Sequence, residues 1–389
     1  MSEQPKFPVR RSPFHHHFAD RGAKFGGTDG WQYPEWFVPP GSGLDQVEAT
    51  RREQRLVRNA VGVLDLTVLS DLLLVGAGAL AVLNWLSTSD VDVPIGRVVY
   101  TQWCSDAGTI LVDLVVYRQG HDRFLVMVND TLHDRVEQLV NDAIESMNAA
   151  ASCVDVSSAI ATLVVTGPLA RHVMQTLTST SLASADFPPL VGREIEITGI
   201  PVTAMRVSFS GELTWELHVA SELGDGLAGA VLAAVEDVGG GPIGMDAMYA
   251  LGTESGMLDY HYSIDDSDSL LEAGLGFTIA WDKASFRGRA ALHGQRAYAS
   301  PKRTAFICSP ISMEIGDQIQ RNGSAVGRVR TVSFGTSIGS FVGACVVESK
   351  TGVTNEWIRD GSWTVGSRGA PATMQLRGLY DPTRARARG

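Results

Sequence analysis

The sequence predicts an α+β fold in which two units with antiparallel sheets are followed by a small all-β unit. Three observations carry this. Strand and helix signals alternate through residues 44–150, and adjacent strands are joined as hairpins rather than by helical crossovers. A similar order of signals returns through residues 151–295. Residues 296–389 instead show short strands separated by Gly and Ser, with little helix. A chain of 389 residues is also long for one hydrophobic core.

Residues 1–43 end in "GWQYPEWFVPPGSG", and Trp31, Tyr33, Trp36 and Phe37 make this an ordered arm rather than a free tail. Residues 44–60 read as a helix entering the core. A strand at 71–78 leads into a helix at 79–87. "GRVVYTQWCSDAGTILVDLVVYR" (96–118) reads as a hairpin turning at 105–108, and "RFLVMVN" (123–129) as the next strand. Leu132, Val136, Leu139, Val140, Ala143, Ile144 and Met147 recur at three and four, predicting a helix over 131–149 capped by Asp130 or Thr131. The second unit repeats the pattern. "ATLVVTGPLARHVMQTL" (161–177) is strand, turn and helix, 199–220 is a hairpin, and 223–237 is a helix. "RTAFICS", "SAVGRVRTVSFG" and "SFVGACVVE" are the strands of the last unit.

Composition excludes several classes. Hydrophobic residues are 44%, charged residues 19%, and the formal net charge is −11, which argues against a nucleic-acid or anionic-membrane binder. No apolar run approaches a membrane span, and no apolar segment near residue 1 reads as a secretory signal. Cys104, Cys153, Cys308 and Cys345 are scattered without a CxxC, as expected of a reduced, cytoplasmic protein. "GAGAL" (76–80) is not a dinucleotide fingerprint, and GxxxxGK[ST], HExxH and GxSxG are absent. Adjacent histidines at 15–17 alternate in direction on an extended chain and lack an acidic partner at ligand spacing, so no metal is expected.

Two stretches carry chemistry. In "GTILVDLVVYR" (108–118), Asp113 lies among Ile110, Leu111, Val112, Leu114, Val115 and Val116. Strand alternation places it with Leu111, Val115 and Tyr117. A buried carboxylate there is either paired structurally or faces a ligand cavity. In "SGELTWEL" (210–217), Leu213, Trp215 and Leu217 share one face, and Glu212, Thr214 and Glu216 the other. That polar face is either solvated or offers a carboxylate to a heterocycle edge with two N–H donors.

The chain resembles the aminomethyltransferase (glycine-cleavage T-protein) family of folate enzymes. It is closer still to the folate-binding C-terminal half of dimethylglycine and sarcosine dehydrogenases. The resemblance runs from "SPFHHHFADRGAKFGGTDGWQYPEWF" (12–37) through "GVLDLTVLSDLLLVGAGALAVLNWL" (62–86), the 96–118 hairpin, "TGP" (166–168) and "GELTWELHV" (211–219). "EAGLGFTIAWDKASFRGRAAL" (272–292) and "GRVRTVSFGTSIG" (327–339) complete it. It implies a three-lobed fold with a central folate channel and tetrahydrofolate as cofactor. Asp113 then falls near the reacting folate nitrogens and Glu216 at the pterin edge. Tyr100 lines the pterin site, and Asn129 touches the folate. Tyr117, Tyr249 and Trp103 are further candidates for the substrate side, with ordinary packing as the alternative.

The chain also departs from the family pattern. Where relatives carry R-D-x-L-R-x-E, residues 248–254 read "MYALGTE". Glu254 remains, but Met248, Tyr249 and Gly252 replace Arg, Asp and Arg. Val112 stands where T-proteins usually have a second Asp. The resemblance therefore implies a tetrahydrofolate-dependent methyl or methylene transferase, with a demethylase of N-, O- or S-methylated small molecules ranked above glycine cleavage. No flavin domain precedes the folate portion, so the chain is not expected to oxidise an N-methyl group unaided. The alternative is a non-catalytic folate-binding subunit of a flavin dehydrogenase, and a carrier protein is a further possible partner.

Overall fold

The computed structural model describes residues 10–28 and 30–389. The start of the expected arm, and with it the reading against a secretory signal, lies outside the described residues. From Arg10 onward the arm is ordered. Arg10–Arg11, Trp31–Phe37 and Ala23–Thr28 form a three-stranded sheet in that order. Phe14, Phe18 and Phe37 are fully buried in the core beneath the second large sheet, which fixes the arm to the body. Each such burial contributes roughly 1.5–3 kcal/mol.

The helix Gln46–Asn59 begins where sequence chemistry places it. Asp45 accepts from the Glu48 backbone N–H at 2.8 Å, and the Glu48 carboxylate accepts from the Asp45 N–H at 3.4 Å, forming a capping box. The first large sheet has the order Val98–Cys104, Ile110–Gly120, Arg123–Val128, Ser70–Val75, Ser152–Asp155, antiparallel throughout. Its hairpin turns where expected, the Gly108 N–H donating to Ser105 O at 2.9 Å with Gly108 at φ +79°. One face packs Leu72, Val112, Leu114, Val116 and Val126 in a core that includes the helices Ala79–Leu86 and His133–Ser146. The second of these starts later than predicted. A 3-10 turn at Asp130–Leu132 precedes it, and Asn129, not Asp130 or Thr131, caps that turn through the Thr131 N–H.

The second large sheet has the order Gly192–Ile197, Ile200–Met205, Thr214–Ala220, Ile160–Thr166, Gly62–Asp65, Gly241–Pro242. Trp215, Leu217, Leu163 and Val165 share a core that includes the helices Ala170–Leu177 and Gly224–Asp237. The sheets do not follow a linear division at residues 150 and 295. Gly62–Asp65, from within residues 44–150, pairs with Ile160–Thr166 of the second sheet. Ser152–Asp155, from within residues 151–295, pairs with Ser70–Val75 of the first. Each sheet thus takes one strand from the other unit's stretch of sequence, and residues such as Tyr260, Leu270, Phe286 and Leu292 return to the first core.

The C-terminal strands close on themselves. Lys302–Ser309, Ala370–Gln375, Trp363–Val365, Gln318–Arg321, Ser324–Val329 and Ser340–Glu348 follow one another, and the last pairs with the first. Closure leaves no free sheet edge between them. The two large sheets meet face to face through Val98, Tyr117, Leu125 and Met127 on one side and Met205 on the other. Polar groups of the candidate site lie along this contact.

Candidate functional site

Strand register assembles the first half of the site. Tyr100 pairs with Val115, Val115 with Met127, and Met127 with Asp71, so these four residues form a row on the face opposite the core. One step along, Gln102 pairs with Asp113. Asn129 follows directly on the neighbouring strand Arg123–Val128, whose pairing with the Asp113 strand is recorded as far as Val115–Met127. The Tyr100 hydroxyl donates to Asp113 Oδ2 at 3.3 Å. Burial pushes the Asp113 carboxyl up to about 6, although the Tyr100 hydrogen bond favours the anion. Burial also drives the Tyr100 phenol well above its ordinary range. Asn129 Oδ1 accepts from the backbone and hydroxyl of Thr131, which leaves its amide nitrogen to donate elsewhere.

Facing this row, Glu216 pairs with Val164 and Met205 on the second sheet. The face holding Glu212, Thr214 and Glu216 is not solvated. Glu212 and Thr214 are buried, and Glu216 is part-buried. His218 Nε2 lies 3.6 Å from Glu216 Oε2, and its Nδ1 is 3.0 Å from the Thr162 hydroxyl. Asp71 senses both. Burial first, with Glu216 and Asp155 adding to it and His218 opposing, pushes its carboxyl up to about 7. Asp71 Oδ1, Gln102 Nε2 and His218 Nε2 are buried without a hydrogen-bond partner among the described residues. Such atoms are costly unless a ligand or water completes them.

A second wall adjoins Asp113. The Asp113 carboxylate acts electrostatically on Asp259. Burial and Asp113 together push Asp259 up to about 7. Around it stand Tyr249, Tyr262 and Phe209, with ring centroids 5.6 Å apart for Tyr249–Tyr262 and 6.5 Å for Phe209–Tyr249. They line a cavity of about 160 Å³. Gly252 makes this wall possible, because a Cβ there would lie 2.3 Å from the Phe209 ring.

The other expected residues fall differently. Trp103 is 1% exposed, in the core of the first sheet on the face away from Asp113, and its indole donates to Ser87 at 3.0 Å. Tyr117 packs between the sheets against Gly192, where a Cβ would meet its ring at 2.5 Å. Sequence reading missed Gln102, Asp71, His218 and Asp259. Gln102 had a signal, being two residues from Tyr100 on one strand; the others are brought in from distant strands and loops.

Glu254, retained from the family run, does not face the cavity. Arg58 Nη2 donates to its Oε2 at 2.8 Å and Arg58 Nη1 to Glu212 Oε1 at 3.0 Å, with both carboxylates essentially buried. The Ser337 N–H and hydroxyl also donate to Glu254, while Tyr380 and Arg386 donate to Glu212. This network joins the second sheet, the barrel and the C-terminal segment.

The histidine run is also corrected. Residues 15–17 open a short helix, His15–Ala19, rather than an extended chain. His16 and His17 place Nε2 at 2.9 and 3.0 Å from Asp225 Oδ1, so an acidic partner does exist, supplied from over two hundred residues away.

Residues 14–283 match the family model described as the GCVT N-terminal domain. The chain belongs to the GCVT family. This GCVT chain is 29% identical to a 4-methylaminobutanoate oxidase (formaldehyde-forming) of Paenarthrobacter nicotinovorans, across 98% of itself but 47% of that protein. It is 26% identical to the mitochondrial sarcosine dehydrogenase of Mus musculus with the same shares. The GCVT chain thus spans about half the length of these relatives. It is 29% identical to an aminomethyltransferase of Lysinibacillus sphaericus, across 88% of itself and 90% of that protein. The solved glycine-cleavage aminomethyltransferase T of Bartonella henselae shares its fold, at a TM-score of 0.80 and 19% identity over 96% of this chain and 98% of that one.

Proposed function

We propose that this GCVT chain transfers a methyl or methylene unit between a methylated small molecule and tetrahydrofolate. The observation that carries the reading is the facing arrangement of Asp113, Tyr100, Gln102 and Asn129 on one sheet and Glu216 and His218 on the other, with Asp71 between them. Unsatisfied atoms of both kinds, an Asp71 carboxylate oxygen and the Gln102 amide nitrogen, suit a flat heterocycle that both donates and accepts. Bound tetrahydrofolate would supply the nitrogens that accept or release the carbon.

The residues of the chain then have distinct tasks. Glu216 accepts from paired N–H donors of the pterin edge. Gln102 and Asn129 donate to its carbonyl or to the folate body, and Tyr100 packs beside it. Asp113, held at about 6, exchanges a proton near neutral pH or balances positive charge as the carbon moves. Holding both reactants in one orientation supplies much of the rate advantage. A demethylase fits better than glycine cleavage, because Met248, Tyr249 and Gly252 leave no guanidinium in the matching helix run.

A second reading is suggested by the names of two relatives, an oxidase and a dehydrogenase. The relatives named oxidase and dehydrogenase are about twice as long as the matched region. On this reading a separate oxidoreductase activates the methyl group, and this chain passes the carbon to folate. Tetrahydrofolate titration, followed by a screen of methylated donors with wild type and Asp113→Asn, tests the main proposal. Both proteins are expected to bind folate, and only wild type to turn over. No folate binding by wild type overturns it. Turnover only when an oxidase is added selects the second reading.

A further inference from the structure

We propose that His16, His17 and Asp225 form a site for a divalent transition metal of the zinc class, which fastens the N-terminal arm to the helix Gly224–Asp237. The inference goes beyond the one-carbon reading and does not rest on it. Its ground is the convergence of three donors. His16 Nε2 lies 2.9 Å and His17 Nε2 3.0 Å from one and the same oxygen, Asp225 Oδ1. All three ligand atoms fall within 4.8 Å of one another. Successive residues of a helix point about 100° apart, so adjacent imidazoles ordinarily diverge. Here the two rings lie side by side, with centroids 4.2 Å apart and planes tilted by 34°.

Packing fixes the backbone that carries these donors. Phe14 and Phe18, which flank the histidine run, are fully buried. Pro13 and Phe14 press on Gly224, where a Cβ would lie 2.4 Å from the Pro13 ring and 3.0 Å from the Phe14 ring. Asp225 is the next residue, in the first turn of that helix. The His17 ring lies over Gly229 one turn further on, 3.5 Å from where a Cβ would stand. Arg21 Nη1 donates to the His17 carbonyl at 3.0 Å, and Arg21 Nη2 to Glu236 at the far end of the same helix at 3.1 Å. The backbone of all three ligands is thus set in advance, and only the exposed His16 and Asp225 side chains lose freedom when a metal binds.

The donor set selects the metal. Imidazole nitrogens suit zinc, copper and nickel, whereas calcium and magnesium take oxygen ligands. Zinc bonds of about 2.0–2.2 Å put tetrahedral donors roughly 3.3 Å apart. The observed separations of 2.9 and 3.0 Å therefore need to open by only a few tenths of an ångström. Each imidazole would bind through Nε2 with its proton on Nδ1, and water would take the remaining position. His15 does not join, because its ring stacks on Phe25 at 4.2 Å. None of the three ligands belongs to the polar groups assigned to folate, so the metal has a structural task.

Titration of the full chain with zinc, followed by calorimetry and thermal melting, tests this. Zinc is expected to bind saturably and to raise the melting midpoint, because a metal that binds only the folded chain stabilises it. Magnesium and calcium are expected to do neither. His16→Ala and Asp225→Ala alter exposed side chains, so both should melt like the metal-free wild type, and each should bind zinc at least about 10-fold more weakly. Cys153→Ser with Cys308→Ser removes the two less buried thiols and should leave zinc binding unchanged. No zinc binding by wild type, wild-type affinity in His16→Ala and Asp225→Ala, or loss of binding in the cysteine double variant overturns the proposal.

Discussion

Replacing Arg58 with Met should be among the most damaging single changes in this protein. The side chain is 7% exposed and donates to two carboxylates from different parts of the chain, Glu212 and Glu254, which are 1% and 0% exposed. Methionine keeps much of the apolar stem but removes every donor. Glu212 would still be held by Arg386 at 3.0 and 3.1 Å and by the Tyr380 hydroxyl at 2.7 Å. Glu254 would retain only the Ser337 N–H at 2.8 Å and hydroxyl at 3.0 Å, with no positive partner. An uncompensated buried charge of this kind costs about 3–5 kcal/mol. With a urea dependence of about 3 kcal/mol per molar, the unfolding midpoint should fall by roughly 1–1.7 M. Neutralising the orphan should recover much of the loss. Arg58→Met combined with Glu254→Gln is expected to be more stable than Arg58→Met alone, the signature of coupling rather than addition. A loss below about 1 kcal/mol, or a double variant no better than the single, refutes the assignment of the cost to Glu254.

Two more predictions follow from buried carboxyls. Burial holds Asp113 at about 6 against an ordinary 3.8, so the folded chain keeps its proton longer than the unfolded one. The stability this group contributes is fully present below pH 3.8 and is lost as pH rises through 6. Asp113→Asn should therefore be more stable than wild type at pH 8, by up to about 3 kcal/mol, with the gain vanishing near pH 4; urea melts across that range giving a constant difference would contradict it. Glu53, fully buried, accepts from the N–H groups of Phe37 and Gly244, both at 2.7 Å. Glu53→Ala strands both donors and should cost about 2–6 kcal/mol, with exchange protection lost first at those two amides.

Hydrophobic periodicity and turn chemistry in the sequence were enough to determine most of the elements. The Asp45–Glu48 capping box, the Gly108 turn and the alternation that sets Asp113 apart from Val112 and Leu114 are all local, decided by residues within a few positions of each other. The family resemblance put forward Asp113, Glu216, Tyr100 and Asn129 as candidates. Tertiary structure decided which strands share a sheet. The exchange of Gly62–Asp65 and Ser152–Asp155 between sheets has no local signal, because a short strand reads the same whichever neighbour it joins. It also decided that Glu212 and Glu254 are held by Arg58 rather than facing a ligand. Asp71, Asp259 and Phe209 reach the site for the same reason. Their neighbours lie tens to hundreds of residues away, and the electrostatic and packing terms that give them meaning exist only once the sheets have closed on each other.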